Sequence, residues 1–582
     1  MKLTSVSNRN ELASLLHIPT QTLTGLLYFK TDNEKYRYFF IPKHNGGKRL
    51  ITAPTEPLMT VQRTLARILT DDYEEILNEN HINSKIAHGF LKNRSILTNA
   101  TVHKNKRYVL NLDLENFFDS FHFGRVRGYF IKNRYFKLPE DIATLIAQVA
   151  CCKGKLPQGA PTSPIITNLI CEIFDYRILS IARRFHLNYT RYADDLTFST
   201  NEKEFPKVLT VFLKTVRAEI EHSGFKVNIP KTHFQQNFSR QIVTGIIVNR
   251  KINVPREFYK DTRAMAYSLY KVGQFTIDNR KGTLAELEGR FSYIYEVDSF
   301  NEKQNKHNLS YEQHGTSKEK LSSHDEEYRK FIFYKYCIGN DRPVIITEGK
   351  TDSLYLKAAL KSLYRNHPWL ISRTSDKGYS FRVAFLHRRP LFQKLLNFPE
   401  DGADGISRFY NDFVLRKNKS HKWNDSYYDY FIHLSNRYPT NPVFLLYDHE
   451  MTKGMPLKKF FDLIGHNKEN ELKEFDQNCF LKLRGNFYLL TLPEPIHRSR
   501  PPKWEIEELF DNKTLNHQIN GRSFALAKEK VGREVYDKYM FANYVIRDYK
   551  SIDFSNFDPL FKNIETCIAD YYQWRNNGTS LK

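Results

Sequence analysis

The chain has 582 residues, too many for one ordinary core, and its 88 Lys and Arg against 65 Asp and Glu give a formal charge of +23. That balance favours a polyanionic partner, nucleic acid first, over an acidic small molecule. Cys151, Cys152, Cys171, Cys337, Cys479 and Cys567 lack paired metal-ligand spacing, Met1 to Asn10 has no signal-peptide core, and no apolar run approaches about 18 residues. We therefore expect a cytoplasmic protein of two or three domains with no membrane role and no solenoid repeat.

Lys48-Arg49-Leu50-Ile51-Thr52-Ala53-Pro54 comes first, followed by an amphipathic segment from Leu58 to Leu69. Asn99-Ala100-Thr101-Val102-His103 precedes an apolar run, Tyr108 to Leu112, that reads as a strand ending in Asp113. Asp113 then leads through Leu114-Glu115-Asn116 into the aromatic pair Phe117-Phe118. Leu156-Pro157-Gln158-Gly159-Ala160-Pro161-Thr162-Ser163-Pro164 has the Gly and Pro content of a tight loop, ahead of an apolar helix over about 165–174. Such a loop can lay backbone against a base pair.

Tyr192-Ala193-Asp194-Asp195 lies between two alternating apolar and polar runs, as at the tip of a half-buried hairpin. Adjacent carboxylates repel unless a cation neutralises them. With Asp113 as a third acid, the set can hold hard divalent ions through oxygen ligands and leave positions open for phosphates. Gly224 to Thr232 carries Lys231, and Val243-Thr244-Gly245 reads as a close-approach turn. From Arg256 a helix is predicted with Phe258, Met265, Leu269 and Val272 on its packed face.

Residues 301–327 are rich in Lys, Glu, Asn, Ser and His and read as a polar linker. Beyond it, Pro343 to Thr347 is a buried strand delivering Glu348-Gly349-Lys350-Thr351-Asp352. Val443 to Tyr447 is a second such strand, ending in Asp448-His449-Glu450. Open α/β sheets place ligand sites at the carboxyl ends of their strands. Glu505-Ile506-Glu507-Glu508-Leu509-Phe510 reads either as an ordinary acidic helix start or as a further, distal carboxylate for these acids.

The segments around Asp113, Gln158-Gly159 and Asp194-Asp195, in that order, resemble the palm motifs of reverse transcriptases. The Asn99 to His103 and Val243 to Gly245 segments resemble signatures of the retron group, over roughly residues 20 to 300. The resemblance implies an α+β right-hand polymerase of fingers, palm and thumb over 1–300. It also implies two Mg²⁺ ions on Asp113, Asp194 and Asp195, deoxynucleotide substrates, and Phe118 as a steric gate against a ribose 2′-hydroxyl. Lys48 and Arg49 would meet the triphosphate, Gln158 and Gly159 the substrate, and Lys231 the departing pyrophosphate. Asn99, His103, Val243, Thr244 and Gly245 would contact RNA or primer, with a structural role as the other reading of His103. The Arg256 helix would be the thumb. The implied partners are a structured noncoding RNA and its branched single-stranded DNA copy, and the chain is compatible with an oligomer.

The second pair of strand-end acids resembles an α/β TOPRIM domain within an effector region over 328–582, matched over about 340–455. That resemblance implies a Mg²⁺-dependent nuclease with one or two ions. Glu348 would be its general acid or base, Asp448 and Glu450 its metal ligands, and Asp352 a support, although the usual second motif is Asp-x-Asp. A polymerase fused to such a domain resembles bacterial retrons of antiphage defence. Within enzymes, the alternative is a group II intron-like or diversity-generating reverse transcriptase; outside them, it is a noncatalytic nucleic-acid scaffold.

Overall fold

A computed structural model describes residues 2–42, 46–79, 86–308, 321–376, 378–386, 390–398, 404–417, 425–466, 468–495, 503–524 and 535–577. Two compact units emerge, Met1–Phe258 with Glu296–Glu312, and Tyr259–Tyr295 with Gln313–Lys582. These bounds differ from the 1–300 and 328–582 that the resemblances imply. The 301–327 stretch is helical at both ends, because a helix over Leu284–Asn308 runs into it and another, Ser323–Phe333, starts within it on a Ser322 capping box. Residues 309–320 lie outside the described residues.

In the first unit, β1 (Tyr36–Pro42) and β2 (Lys48–Pro54) form an antiparallel hairpin followed by α1 (Leu58–Glu79) and α2 (Ile96–Val102). The unit centres on a four-stranded antiparallel sheet of β3 (Tyr108–Asp113), β4 (Asn188–Tyr192), β5 (Asp195–Thr200) and β6 (His233–Gln236), in the order β4-β5-β3-β6. Leu110, Leu112, Leu196 and Phe198 of this sheet share one core with α3 (Ser163–Arg184) and α4 (Phe205–His222). The helix after the Pro-rich loop thus runs ten residues beyond the predicted Phe174, because Ile178, Ile181 and Ala182 keep burying an apolar face. A two-residue turn at Thr244-Gly245 joins β7 (Ile242–Val243) to β8 (Ile246–Ile247). The helix α5 (Arg256–Val272) starts at the end of this unit and lies from Tyr259 on in the second; it buries Thr262, Ala266, Leu269 and Tyr270, and Val272, expected on the packed face, is exposed.

In the second unit, β9 (Val344–Thr347) leads to α6 (Asp352–Ser362), a small hairpin of β10 (Ile371–Arg373) and β11 (Tyr379–Phe381), and β12 (Ala384–Phe385). Then come β13 (Val443–Tyr447), β14 (Phe480–Lys482), β15 (Phe487–Thr491), and the helices α7 (Lys538–Asp548) and α8 (Asp558–Asn576). The main sheet has the order β12-β9-β13-β15-β14, parallel except for β14. Both of its faces are covered. Val344, Ile346, Leu445 and Leu489 enter one apolar cluster and Ile345, Phe444, Leu446 and Leu490 the other, the period-two signature of a doubly buried sheet. The acids that follow β9 and β13 therefore leave the same end of a parallel sheet, and the expected α/β layering is present.

Candidate nucleotidyl-transfer and second acidic sites

The register of β3 and β5 sets Asp113 opposite Asp195, and Leu114 donates its N–H to the Asp194 carbonyl at 2.9 Å. All three acids thus meet at one end of the sheet. The turn between β4 and β5 holds Ala193 at φ +53°, a left-handed conformation an alanine adopts only when its surroundings impose it. Behind it, wholly buried Arg191 donates from Nη1 to the Ala193 carbonyl at 3.2 Å. Its guanidinium is held by Asp175 through two contacts of 2.8 Å and by the Asn168 amide oxygen at 3.2 Å.

Burial first, then the neighbouring Asp194 and Asp113, push the Asp195 carboxyl up to about 7, against an opposing pull from Lys231. Asp194 is raised by burial and by Asp113, with Lys231 and Arg49 working the other way. Lys231 places its ammonium 2.9 Å from Asp113 Oδ1, and Asn228 donates to Asp113 Oδ2 at 3.0 Å. The donor set is therefore all oxygen, crowded with like charge and partly balanced by one ammonium. That chemistry fits a hard divalent cation. Among the described residues no three His, Cys, Asp or Glu side chains stand in metal-holding geometry; at this centre Asp113 is turned to Lys231 and Asn228.

A cleft of about 630 Å³ gathers Lys48, Arg49, Asp113, Phe118, Gln158, Asp194 and Lys231 on its walls. Phe117 is sunk in an aromatic core with Phe121 and Phe225, which leaves Phe118, edge-on to it at 5.5 Å, to face the cleft. The Gln158 carbonyl accepts the Thr52 N–H at 2.8 Å and fixes β2 against the loop. Gly159, at φ +122°, permits this approach: an added Cβ would lie 2.7 Å from Ile51 Cγ2 and 3.1 Å from the Thr52 oxygen.

The other expected contact residues behave differently. His103 is fully buried, with Nδ1 2.7 Å from Ser199 Oγ and Nε2 2.7 Å from Thr190 Oγ1, and burial lowers its ring to about 3. Asn99 is also fully buried and accepts from Thr190 Oγ1 at 2.5 Å, and Val243 is buried as well. The expectation that Asn99 and Val243 touch RNA or primer is corrected on this ground, since their side chains are enclosed, and of the two readings of His103 its burial favours the structural one. The Thr244-Gly245 turn is tied to the sheet through Asn111 Nδ2, which donates to the Ile242 carbonyl at 2.7 Å. Thr244 sits at φ +46°, unusual for a β-branched residue, and its buried hydroxyl has no hydrogen-bond partner among the described residues.

In the second unit, the Asp448 N–H faces Glu348 Oε2 at 3.4 Å, Gly349 N donates to Asp352 at 2.6 Å, and Ile506 N donates to Asp448 Oδ1 at 3.0 Å. The Asp448 carboxyl is raised well above the usual range by burial and by Asp352, Glu348, Glu507 and Glu505. Lys538 bridges Glu505 at 2.7 Å and Glu507 at 3.0 Å, while Tyr355 donates to Glu507 at 3.3 Å. Glu507 titrates near 7, raised by burial and lowered by Lys538. Glu450, expected as a metal ligand beside Asp448, lies on the short strand His449–Glu450 in register with Lys503. Besides Asp352 and Glu348, the carboxylates of Glu507 and Glu505 act on Asp448.

Residues 41–260 match the family model described as reverse transcriptase (RNA-dependent DNA polymerase). Retron Ec86 reverse transcriptase from Escherichia coli is 33% identical over 297 residues, covering 50% of this chain and 86% of that one. Two Myxococcus xanthus enzymes are similar as well: retron Mx162 reverse transcriptase is 33% identical over 51% of this chain and 65% of its own, and retron Mx65 reverse transcriptase is 34% identical over 44% and 60%. Among solved structures, apo telomerase from Candida tropicalis aligns at a TM-score of 0.30 and 12% identity over 52% of this chain and 61% of that one, a level from which nothing follows. These relatives support retron-type RNA-directed DNA polymerase activity. Through the region that carries Asp113, Asp194 and Asp195, the chain belongs to the retron reverse transcriptases.

Proposed function

We propose that the first unit copies part of a structured noncoding RNA into branched single-stranded DNA from deoxynucleotides. The observation that carries this reading is the single cleft uniting Asp113 and Asp194 with Lys48, Arg49, Phe118, Gln158 and Lys231. Asp113, Asp194 and Asp195 would hold Mg²⁺, which when bound supplies activation of the primer hydroxyl and neutralisation of the triphosphate. The chain's own groups do the rest. Lys48 and Arg49 bind phosphate oxygens, Phe118 closes the space a 2′-hydroxyl would need, and Lys231 balances charge on the departing pyrophosphate. Thr244 and Gly245 would meet primer or RNA.

For the second unit we propose a TOPRIM-like, Mg²⁺-dependent nuclease acting as an antiphage effector. Support comes from the convergence of Glu348, Asp352, Asp448, Glu505 and Glu507 at the carboxyl end of a parallel sheet. Glu348 would exchange the proton, and Lys538 would balance the charge of Glu505 and Glu507.

Purification of the chain from cells carrying its native locus should yield RNA-linked single-stranded DNA that debranching enzyme converts to free DNA. Asp194→Asn should abolish that product and Mg²⁺-dependent deoxynucleotide incorporation. Incorporation without a branched product would leave a polymerase of another kind, and loss of neither would leave a scaffold. Glu348→Ala should retain the DNA product and lose phage protection; full protection would remove the effector reading.

A further inference from the structure

A second charged surface lies in the same unit as the Asp448 centre yet shares no residue with it. α6 and α7 both start at that centre, where Tyr355 donates to the Lys538 carbonyl at 3.2 Å, and each runs 11 residues, roughly 16 Å. Near their far ends cations and rings interleave. Lys361 lies 5.5 Å from the Tyr549 ring, and Arg365 lies 5.7 Å from Tyr364 with Nε donating to its hydroxyl at 3.1 Å. Arg373 stands 5.2 Å from Tyr364 and 4.8 Å from Tyr379, its direct cross-strand partner on the β10–β11 hairpin.

The rings are themselves in contact. Tyr364 meets Tyr379 edge-on at 5.7 Å, and Tyr379 meets Tyr549 at 6.4 Å. Lys357, one turn before Lys361, rests 5.1 Å from Phe385 and is lowered by burial and by the charge of Lys361. Arg365 and Arg373 are exposed, and Trp369, two residues before the hairpin, is 50% exposed. The nearby acids are engaged locally: Asp376 accepts from Thr374 and Gly378 N at the hairpin tip, and Asp548 pairs with Arg547 at 2.8 Å. A hydrogen bond from Arg365, with the charges of Arg365 and Arg373, pulls the half-buried Tyr364 phenol below its usual range.

We propose that this face binds single-stranded nucleic acid. Cations spaced between aromatic rings serve a strand with both backbone and bases accessible: ammonium and guanidinium groups track phosphates, and rings stack on unpaired bases. A duplex would satisfy only the first requirement, because its base faces are hidden. An acidic polypeptide would satisfy only the charge. The polymerase activity makes both strand types available, since its template is RNA and its product DNA. The face goes beyond the two acidic centres: it would hold a strand that neither cleft needs in order to react.

The test is a residue-resolved footprint on the full chain freed of copurified nucleic acid. Lysine acetylation and arginine modification are read by mass spectrometry with oligo-dT or oligo-U of about 16 nucleotides, the upper site size of a single-strand groove. A duplex of equal length and polyglutamate are the comparators. Modification of Lys361, Arg365 and Arg373 should slow by about threefold or more with dT, with U or with both. The dT arm marks a DNA-binding face and the U arm an RNA-binding one. The double variant Lys361→Glu/Arg373→Glu should lose crosslinking of the strand to the 364–382 peptide while primer extension is unchanged. Absence of protection by either strand, or equal protection by duplex or polyglutamate, overturns the proposal. The footprint on the unaltered protein decides the matter even where the double variant fails to fold.

Discussion

Removing the carboxylate of Asp175 should collapse the support of the catalytic turn from behind. Arg191 is wholly buried, and Asp175, whose side chain is 6% exposed, meets its guanidinium at 2.8 Å. Asn168 and the Ala193 carbonyl take further donors at 3.2 Å, so nearly all the compensation of the charge comes from one residue. Asp175→Asn leaves that charge buried and uncompensated, which costs about 3–5 kcal/mol. Arg191→Met orphans Asp175, left with the Tyr189 hydroxyl at 3.0 Å, and should cost a similar amount. The double change Asp175→Asn/Arg191→Met buries no charge, so it should cost less than the sum of the single changes by about 3 kcal/mol. Urea unfolding of the four proteins gives the cycle, and steady-state primer extension gives the second readout. The Arg191 variants should lose kcat with little change in the deoxynucleotide KM, because Ala193 at φ +53° loses the donor that fixes its carbonyl. An Asp175→Asn protein within about 1 kcal/mol of the parent, or additive single changes, would refute the reasoning.

His103 supplies the pH dependence. Its ring is lowered from 6.5 to about 3 by burial, so the unfolded chain binds a proton at pH 5 that the folded one does not. Its stabilising contribution is complete above 6.5 and falls by about 1.4 kcal/mol per pH unit toward 3, and His103→Gln should flatten that part of the stability curve measured against the parent. Phe118→Ala should admit ribonucleotides with deoxynucleotide incorporation retained, measured as the ratio of kcat/KM values; an unchanged ratio would remove the gate. Gly159→Ala should raise the deoxynucleotide KM, since its Cβ would sit 2.7 Å from Ile51 and force β2, which carries Lys48 and Arg49, away from the loop. The backbone strain adds about 1 kcal/mol or more to that displacement, visible as a lower unfolding midpoint.

Local chemistry in the sequence was enough to foresee that the three acids of the first unit stand at strand ends. An apolar run ending in Asp113 and an alternating hairpin with Asp194-Asp195 at its tip specify strand ends, and strand ends of one antiparallel sheet bring acids together. The same local logic found β9 and β13 and the acids that follow them. It failed where distance along the chain separates partners. Nothing near Arg191 in the sequence marks Asp175 as its counter-ion 16 residues away, because the pairing depends on how α3 packs under β4. Nor does composition distinguish Glu505 and Glu507 from an ordinary helix start.

The sequence by itself determined which segments are strands, where their acids stand, and that the chain carries enough positive charge to seek a polyanion. Only the tertiary structure decided which polar groups are enclosed. Asn99 read as a contact residue and His103 as either contact or structure, and both are buried, while Glu505 and Glu507 reach Asp448 from a segment distant in the chain. The physical reason is that burial belongs to the packed layers: alternation along a strand says which side a residue faces, and only the element packed on that side says whether water reaches it.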